Sequence, residues 1–398
     1  MKKTSFFTLI NVLQCDLKAR DLHLKGFTKV RLDDNSMTFA SKFYSSEFNA
    51  LFKEGGLIQS FTLELDQYNL DYKGLRHQLE KIDVFIVREE ISVVAAQFSL
   101  DITHSSDIER LSKLENAYRS PSVRSGDILL TGAGEVFDFK QTMAQLISAK
   151  VVNSQFAFQN IFGLLLMKPV FGEYERIAIS KSMRVPHTHV ADTQIARLRK
   201  EHMLSIYKDW VSIAAADSYY TIYDASINDQ RYESIQQSYY KIYVLVCYLR
   251  GYLMIKNRDI RSKEANAREV EEEFYEFQKY VNLNDVSQTF LPGRIYNLMR
   301  KGSEIKEETE VLQEFIRLDA AKQKEAADKR VARVLTLISI FTVCSTFFDL
   351  SEWVAKINGT NKNHYDSWSI VLLLLIVGLL IYTFIYRLEF KKRRRFRV

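Results

Sequence analysis

Residues 368–386 read WSIVLLLLIVGLLIYTFIY and carry no charged side chain. Their number matches the roughly 20 helical residues that a bilayer requires. Trp368 stands at one end, and Tyr382 and Tyr386 at the other, where aromatic side chains favour the membrane interface. Since a buried helix of a soluble protein is seldom apolar on every side, the run predicts a transmembrane helix.

A shorter apolar run, VLTLISIFTVCSTFF at 334–348, precedes it. Alone, this run would also fit a core helix. Beside the second run, it predicts a helical hairpin through the membrane. We expect transmembrane helix 1 at 334–354, an outer loop at 355–367 and transmembrane helix 2 at 368–386.

The charges predict the orientation of this hairpin. The basic tail 387–398 has seven basic residues and one acidic residue, which accounts for the whole net charge of +6. Five more basic residues precede the first span: Lys322, Lys324, Lys329, Arg330 and Arg333. The positive-inside rule then predicts a multi-pass protein of the inner (plasma) membrane with both termini in the cytoplasm. The remaining 386 residues balance 48 basic against 48 acidic side chains, which argues against direct binding of nucleic acid.

The first residues, MKKTSFFTLINVLQC, imitate a signal peptide that ends at Cys15. Gln14 is a poor residue beside a cleavage site, and export would place the soluble part on the wrong side of the membrane. We therefore predict a first β-strand at Phe6–Leu13. The three cysteines, which include Cys247 and Cys344, are far apart and predict neither a disulfide framework nor a metal knuckle.

The first span differs from the second because it carries a polar stripe. Thr336, Ser339, Thr342, Thr346 and Asp349 recur at helical spacing and fall on an arc of roughly 140°. A polar stripe in a membrane normally faces a helix bundle or a water-filled path. We expect it to line a pore, where a ring of Asp349 carboxylates would concentrate cations. The alternative is plain packing of hydroxylated residues between helices, with Asp349 at a solvated helix end.

Residues 303–333 contain neither proline nor glycine and are rich in strong helix formers. They predict a stalk helix that continues into the first span, as one helix from about Ser303 to Trp353. Lys329, Arg330 and Arg333 are expected at the inner mouth of the pore, or else on a solvated face.

The sequence of the soluble part, residues 1–302, predicts an α+β cytosolic domain at 1–189 and a helical cytosolic region at 190–302. Short apolar or alternating segments predict the strands, and longer amphipathic segments predict the helices. The predicted strands are Phe6–Leu13, Phe61–Leu65, Val84–Val87, Ser92–Leu100 and Asp127–Leu130. A buried element is expected at Ile161–Met167, and helices are expected at 105–119, 136–152, 191–215 and 232–258. Ten of the 21 tyrosines lie between Tyr207 and Tyr252, which indicates helix packing or, alternatively, a stacking pocket for a purine.

No catalytic signature is found: the sequence has no phosphate-binding P-loop, no GxSxG and no HExxH. We therefore do not predict an enzyme. The segment His187-Thr188-His189 fits an ordinary loop, a metal site or part of an anion pocket. If a ligand of the cytosolic part is anionic, the candidates by charge and position are Arg124, Arg184, His187, His189, Arg197 and Lys200.

The order of these parts resembles the CorA-type divalent-cation transporter superfamily. The resemblance covers the whole chain as architecture and is strongest over 303–398. It implies a CorA-like funnel of five identical subunits in the bilayer, with two C-terminal transmembrane helices per chain and the first lining the pore. The family's Gly-Met-Asn signature after the first span is missing. Its nearest counterpart here is Asn358-Gly359-Thr360.

CorA-like proteins without that signature include membrane effectors of type III CRISPR systems. The resemblance therefore implies a homopentameric channel that a nucleotide second messenger gates in antiviral defence. One alternative is a divalent metal-ion transporter of the magnesium type, with Mg²⁺ as ligand and cargo. A second is a membrane-tethered protein-interaction module, in which the hairpin only anchors the chain.

Overall fold

The computed structural model of the chain divides it into two compact units, Met1–Ile316 and Arg317–Val398. The predicted transmembrane helix 2 (368–386) lies outside the described residues except for Gly378. The basic tail 387–398 lies outside them entirely. The structure describes residues 4–14, 18–24, 26–30, 43–53, 55–72, 75–87, 91–100, 111, 114, 129–132, 135–138, 158–167, 191–206, 210–215, 217–224, 226–262, 267–287, 289–358 and 378.

The first unit is built on one large mixed sheet, so the fold is α+β. Across the described strands the order is β7-β6-β3-β4-β5-β1-β8-β11-β10-β9, and β2 pairs with β3. The β8–β11 pair is parallel, and the other described pairs are antiparallel. The strands are β1 (Ser5–Gln14), β2 (Thr28–Lys29), β3 (Ile58–Tyr72), β4 (Leu75–Val87), β5 (Ile91–Leu100), β6 (Leu129–Gly132), β7 (Glu135–Asp138), β8 (Phe158–Met167), β9 (Met203–Leu204), β10 (Trp210–Ala215) and β11 (Ser218–Asp224).

Strand β1 lies inside the sheet because both of its faces are apolar. Phe6, Ile10 and Val12 join the hydrophobic core on one side of the sheet. Phe7 and Leu9 join the core on the other side. This is the expected consequence of side chains that alternate along a strand. The predicted first strand is thus confirmed, with β5 and β8 as its two neighbours.

Helices cover one face of the sheet, called here the helical face. The contacts of α5 with β1, β5 and β8 place it over the middle of that face. A π-helical turn at Ser234–Tyr239 leads directly into α5. The helices are α1 (Ala19–Leu24), α2 (Ser46–Phe52), α3 (Asp192–His202), α4 (Asp229–Glu233), α5 (Tyr240–Ser262), α6 (Ala267–Tyr280), α7 (Phe290–Gly302) and α8 (Ile305–Asn358).

Two sequence predictions are wrong. The helix predicted at 191–215 ends at His202, and the chain continues as β9, β10 and β11 in the same sheet as β1. The predicted boundary between the domains at 189 and 190 is therefore crossed by the sheet. The segment SYYTIYD of β11 is rich in aromatic and β-branched residues, and pairing with β8 and β10 overrides local helix preference. The helix predicted at 136–152 starts instead as strand β7, and its remainder lies outside the described residues.

Other predictions are confirmed. The predicted strands overlap β1, β3, β4, β5 and β6, and the buried element at Ile161–Met167 is part of β8. The helix predicted at 232–258 corresponds to the segment from α4 to α5. The single long helix predicted from Ser303 to Trp353 is α8, which runs from Ile305 to Asn358.

A glycine allows α5 to lie close to β1. A Cβ built on Gly251 would stand 2.5 Å from the Val12 Cγ1 atom, which is closer than two carbon atoms tolerate. The side chain of Val12 is fully buried, so it has little room to move. Gly251 is therefore required by packing, even though glycine weakens a helix interior.

We expect Gly251→Ala to lower the free energy of unfolding by about 1–3 kcal/mol, because it overpacks the contact with Val12. Gly293→Ala in α7 is the matched control, since its nearest neighbour is the Ser287 carbonyl oxygen at 4.0 Å. The control should be neutral or stabilising by up to about 1 kcal/mol. Denaturant unfolding of the detergent-solubilised chain measures both values, and equal effects of the two substitutions would contradict the packing argument.

Candidate functional site

Helix α8 presents an apolar surface that none of the described residues covers. Among the described residues it is the helix that is long and apolar enough to cross a membrane, judged by length and composition alone. Contact with water costs roughly 25 cal/mol for each Å² of apolar surface, so this surface requires lipid or protein around it. Its exposed apolar side chains are Val334, Leu335, Leu337, Ile338, Phe341, Val343, Phe348, Leu350 and Trp353.

The polar stripe of α8 is bonded to the helix itself. Each of its four hydroxyl groups donates to the carbonyl oxygen four residues earlier. The donor–acceptor pairs are Thr336 Oγ1 to Ala332 at 2.8 Å, Ser339 Oγ to Leu335 at 2.8 Å, Thr342 Oγ1 to Ile338 at 2.9 Å and Thr346 Oγ1 to Thr342 at 2.8 Å. A helix in lipid must satisfy its polar groups in this internal way.

These bonds determine what the stripe offers to a neighbour. A hydroxyl group has one hydrogen and two acceptor lone pairs, and here each hydrogen is used within the helix. The stripe therefore presents oxygen acceptors outward. Asp349, exposed at its end, adds a carboxylate. A line of acceptors suits a cation or water better than an anion.

The residues predicted for the inner mouth also lie on α8. The Lys329 ammonium forms an ion pair with the Glu325 carboxylate one turn earlier, while Arg330 and Arg333 are exposed. Lys329 is therefore neutralised within its own helix. Of the three residues predicted for the inner mouth, Arg330 and Arg333 are thus the two whose positive charge is not paired with Glu325.

The predicted ligand-binding residues are not brought together in the described part of the chain. Arg197 and Lys200 are exposed on α3, and the Arg197 guanidinium donates to the Glu201 carboxylate at 3.2 Å on the same helix. The other four candidates lie outside the described residues: Arg124, Arg184, His187 and His189. No metal-binding group of three or more His, Cys, Asp or Glu side chains occurs among the residues that the structure describes.

A charged cluster that the sequence did not predict lies on the helical face. It is called here the Asp83 cluster and is formed by Lys81, Asp83, Tyr240 and Lys241. The buried Asp83 carboxylate accepts a hydrogen bond from the Tyr240 hydroxyl at 2.9 Å. It also forms an ion pair with the Lys81 ammonium at 3.0 Å. Lys241 is near enough to interact electrostatically with Lys81 and Asp83. The one signal in the sequence was a Lys-x-Asp pair at the start of an apolar strand segment, DVFIV.

Burial governs the protonation of this cluster. It raises the pKa of the Tyr240 phenol well above its usual value, and the negative charge of Asp83 raises it further. The phenol therefore remains a neutral hydrogen-bond donor. Burial also lowers the pKa of the Lys241 ammonium, and the nearby charge of Lys81 lowers it further, while Asp83 opposes the shift.

Removing the buried hydroxyl tests the role of the Asp83 cluster in stability. We expect Tyr240→Phe to cost about 1.5–3 kcal/mol of the free energy of unfolding, because a charged acceptor loses its donor. Tyr275→Phe makes the same chemical change on an exposed side chain of α6 and should stay within about 0.5 kcal/mol of the parent. Denaturant unfolding measures both free energies. If Tyr240→Phe lost no more stability than Tyr275→Phe, the hydrogen bond to Asp83 would make no contribution to stability.

Comparison of the chain with family models, with curated proteins and with solved structures gives no match. Two features of the molecule itself bear on its function. The first is the exposed apolar helix with its hydroxyl stripe. The second is the Asp83 cluster under the helices.

Proposed function

We propose that the chain is a homo-oligomeric membrane channel of CorA-like architecture whose first span lines the pore and whose sheet-containing unit is cytosolic. The observation that carries this proposal is the combination found on α8. Its apolar side chains are exposed, and the four hydroxyl groups of the polar stripe each donate their hydrogen to a carbonyl oxygen of the same helix.

One helix cannot enclose a path, so the pore requires several copies of α8 around an axis. In such a ring the hydroxyl stripe would face the axis, and the apolar sides would face lipid and neighbouring helices. The second span 368–386, apolar throughout, would surround the ring. Five subunits are proposed on the resemblance alone.

Gating is proposed to come from a ligand of the cytosolic unit. A ligand can open such a channel only if it binds the open and closed states with different affinity. The resemblance to CorA-like proteins without the Gly-Met-Asn signature favours a nucleotide second messenger in type III CRISPR defence. The carboxylate of Asp349 beside the acceptor stripe favours a second candidate, a transporter of divalent cations. A membrane tether for a partner protein is the third candidate.

The first test is the mass of the detergent-solubilised complex, followed by cation flux into liposomes. The channel proposal expects a discrete mass close to five chains of 46.5 kDa and a flux that depends on protein. A monomer or dimer without flux would contradict the channel and leave the tether.

A matched pair of serines tests whether the stripe lines the pore. Ser339 belongs to the stripe, and Ser345 lies about 120° from Ser339 around the same helix and about 40° beyond Asp349 at the edge of the stripe. Ser339→Ala removes an oxygen that would help to replace water around an ion. Loss of this contact should raise the free-energy barrier to cation passage by about 1 kcal/mol, so cation flux should fall about fivefold. Ser345→Ala should leave flux unchanged, and equal effects of the two variants would contradict the assignment.

A further inference from the structure

Two arginines stand where the charged stalk segment of α8 meets its apolar run. Arg330 and Arg333 lie just before Val334, with which the run begins, and both are exposed. At 1.5 Å per residue they lie within about 6 Å of that boundary. In a bilayer crossed by α8, this is the depth of the lipid headgroups, which form a layer of roughly 5–8 Å on each side of the hydrocarbon.

The charges of these arginines are not neutralised within α8. Ion pairs along a helix form between residues three or four positions apart. Those positions around Arg330 and Arg333 hold no acidic residue, whereas the neighbouring Lys329 has Glu325 as its partner. The two arginines are themselves three positions apart, so their charges repel each other. An anion from outside the helix would relieve this repulsion.

The arginine pair lies on the opposite side of α8 from the polar stripe. Arg330 and Arg333 are about 60° apart around the helix, and their midpoint is about 160° from the middle of the stripe. In the proposed ring of subunits the stripe faces the axis. The pair would then face outward to the lipid, which argues against the inner-mouth position predicted from the sequence.

An exposed apolar column continues from the arginine pair into the span. Leu337 lies one turn beyond Arg333, and Phe341 lies one turn beyond Leu337, both on the side of the pair. The two residues are 56% and 74% exposed, and Phe341 is the most exposed large apolar residue of those that the structure describes. A charged pair at headgroup depth thus leads into an apolar track at acyl-chain depth.

We propose that Arg330 and Arg333, with Leu337 and Phe341, bind an anionic phospholipid of the cytoplasmic leaflet. Guanidinium groups are planar donors that hold phosphate oxygens through paired hydrogen bonds. Basic clusters directly cytoplasmic of a transmembrane helix attract anionic lipids. A soluble phosphate would match the arginines alone, whereas a phospholipid matches both halves of the surface. The proposal rests on the membrane crossing of α8, which is part of the proposed function, but it does not require a pore.

The test is native mass spectrometry of the full chain in a maltoside detergent, with phosphatidylglycerol or phosphatidylcholine of the same acyl chains. Phosphatidylglycerol should bind at least about fivefold more tightly, because its net negative charge compensates the arginine pair. Arg330→Gln and Arg333→Gln should each weaken its binding about fivefold. Binding of phosphatidylcholine should hardly change, since that lipid has no net charge.

Arg317→Gln is the matched control. It makes the same change at an exposed position of α8, about 20 Å from Arg330 along the helix axis and further from the span. It should leave phosphatidylglycerol binding unchanged. Since all three arginines are exposed and glutamine is a good helix former, the variants should keep the circular dichroism spectrum of the parent.

Equal binding of the two lipids by the parent, or equal phosphatidylglycerol binding by all three variants, would overturn the proposal. Full competition by glycerol 3-phosphate, which lacks acyl chains, would also overturn it, because the site would then take soluble phosphate. Absence of liposome flux with the lipid preference intact would count against the channel alone. Flux without any lipid preference would count against this site alone.

Discussion

The contact between α5 and β1 is the packing constraint on which the rest of the first unit depends. The absence of a side chain at Gly251 lets the helix lie against Val12, and this places α5 across the middle of the sheet. One end of α5 then meets Asp83 through Tyr240. The other end meets the first turns of α8 through Asn257. A single close contact thus sets the position of both the charged cluster and the helix that leads out of the unit.

The tyrosines of this region serve mainly as core. Phe162 stacks on Tyr219, and Tyr243 lies within 5.8 Å of both rings by their centres. The Tyr219 hydroxyl is satisfied by Ser212 at 2.9 Å and by Thr221 at 2.8 Å. Large rings fill volume between sheet and helix, and their hydroxyl groups need local partners. The high tyrosine content therefore reflects packing.

Two kinds of polar group obtain their hydrogen bonds differently in this protein. The hydroxyl groups of α8 are each satisfied by a carbonyl oxygen of the same helix, so the helix needs no partner to tolerate an apolar environment. The buried Asp83 carboxylate has no such local solution, because a strand directs its backbone N–H groups to neighbouring strands, and its partners are the Lys81 ammonium and the Tyr240 hydroxyl. The first pattern suits a helix that crosses lipid, and the second joins the sheet to α5.

The sequence by itself determined the features that depend on local properties. Helix propensity and the absence of proline predicted α8, and apolar alternation predicted β1 and β5. Only the tertiary structure decided that Trp210–Ala215 is a strand, because its stability comes from pairing with β11. It alone also brought together Asp83 and Tyr240, which are 157 residues apart. Their meeting depends on sheet register and on the close approach of α5, and neither is encoded in the residues around them.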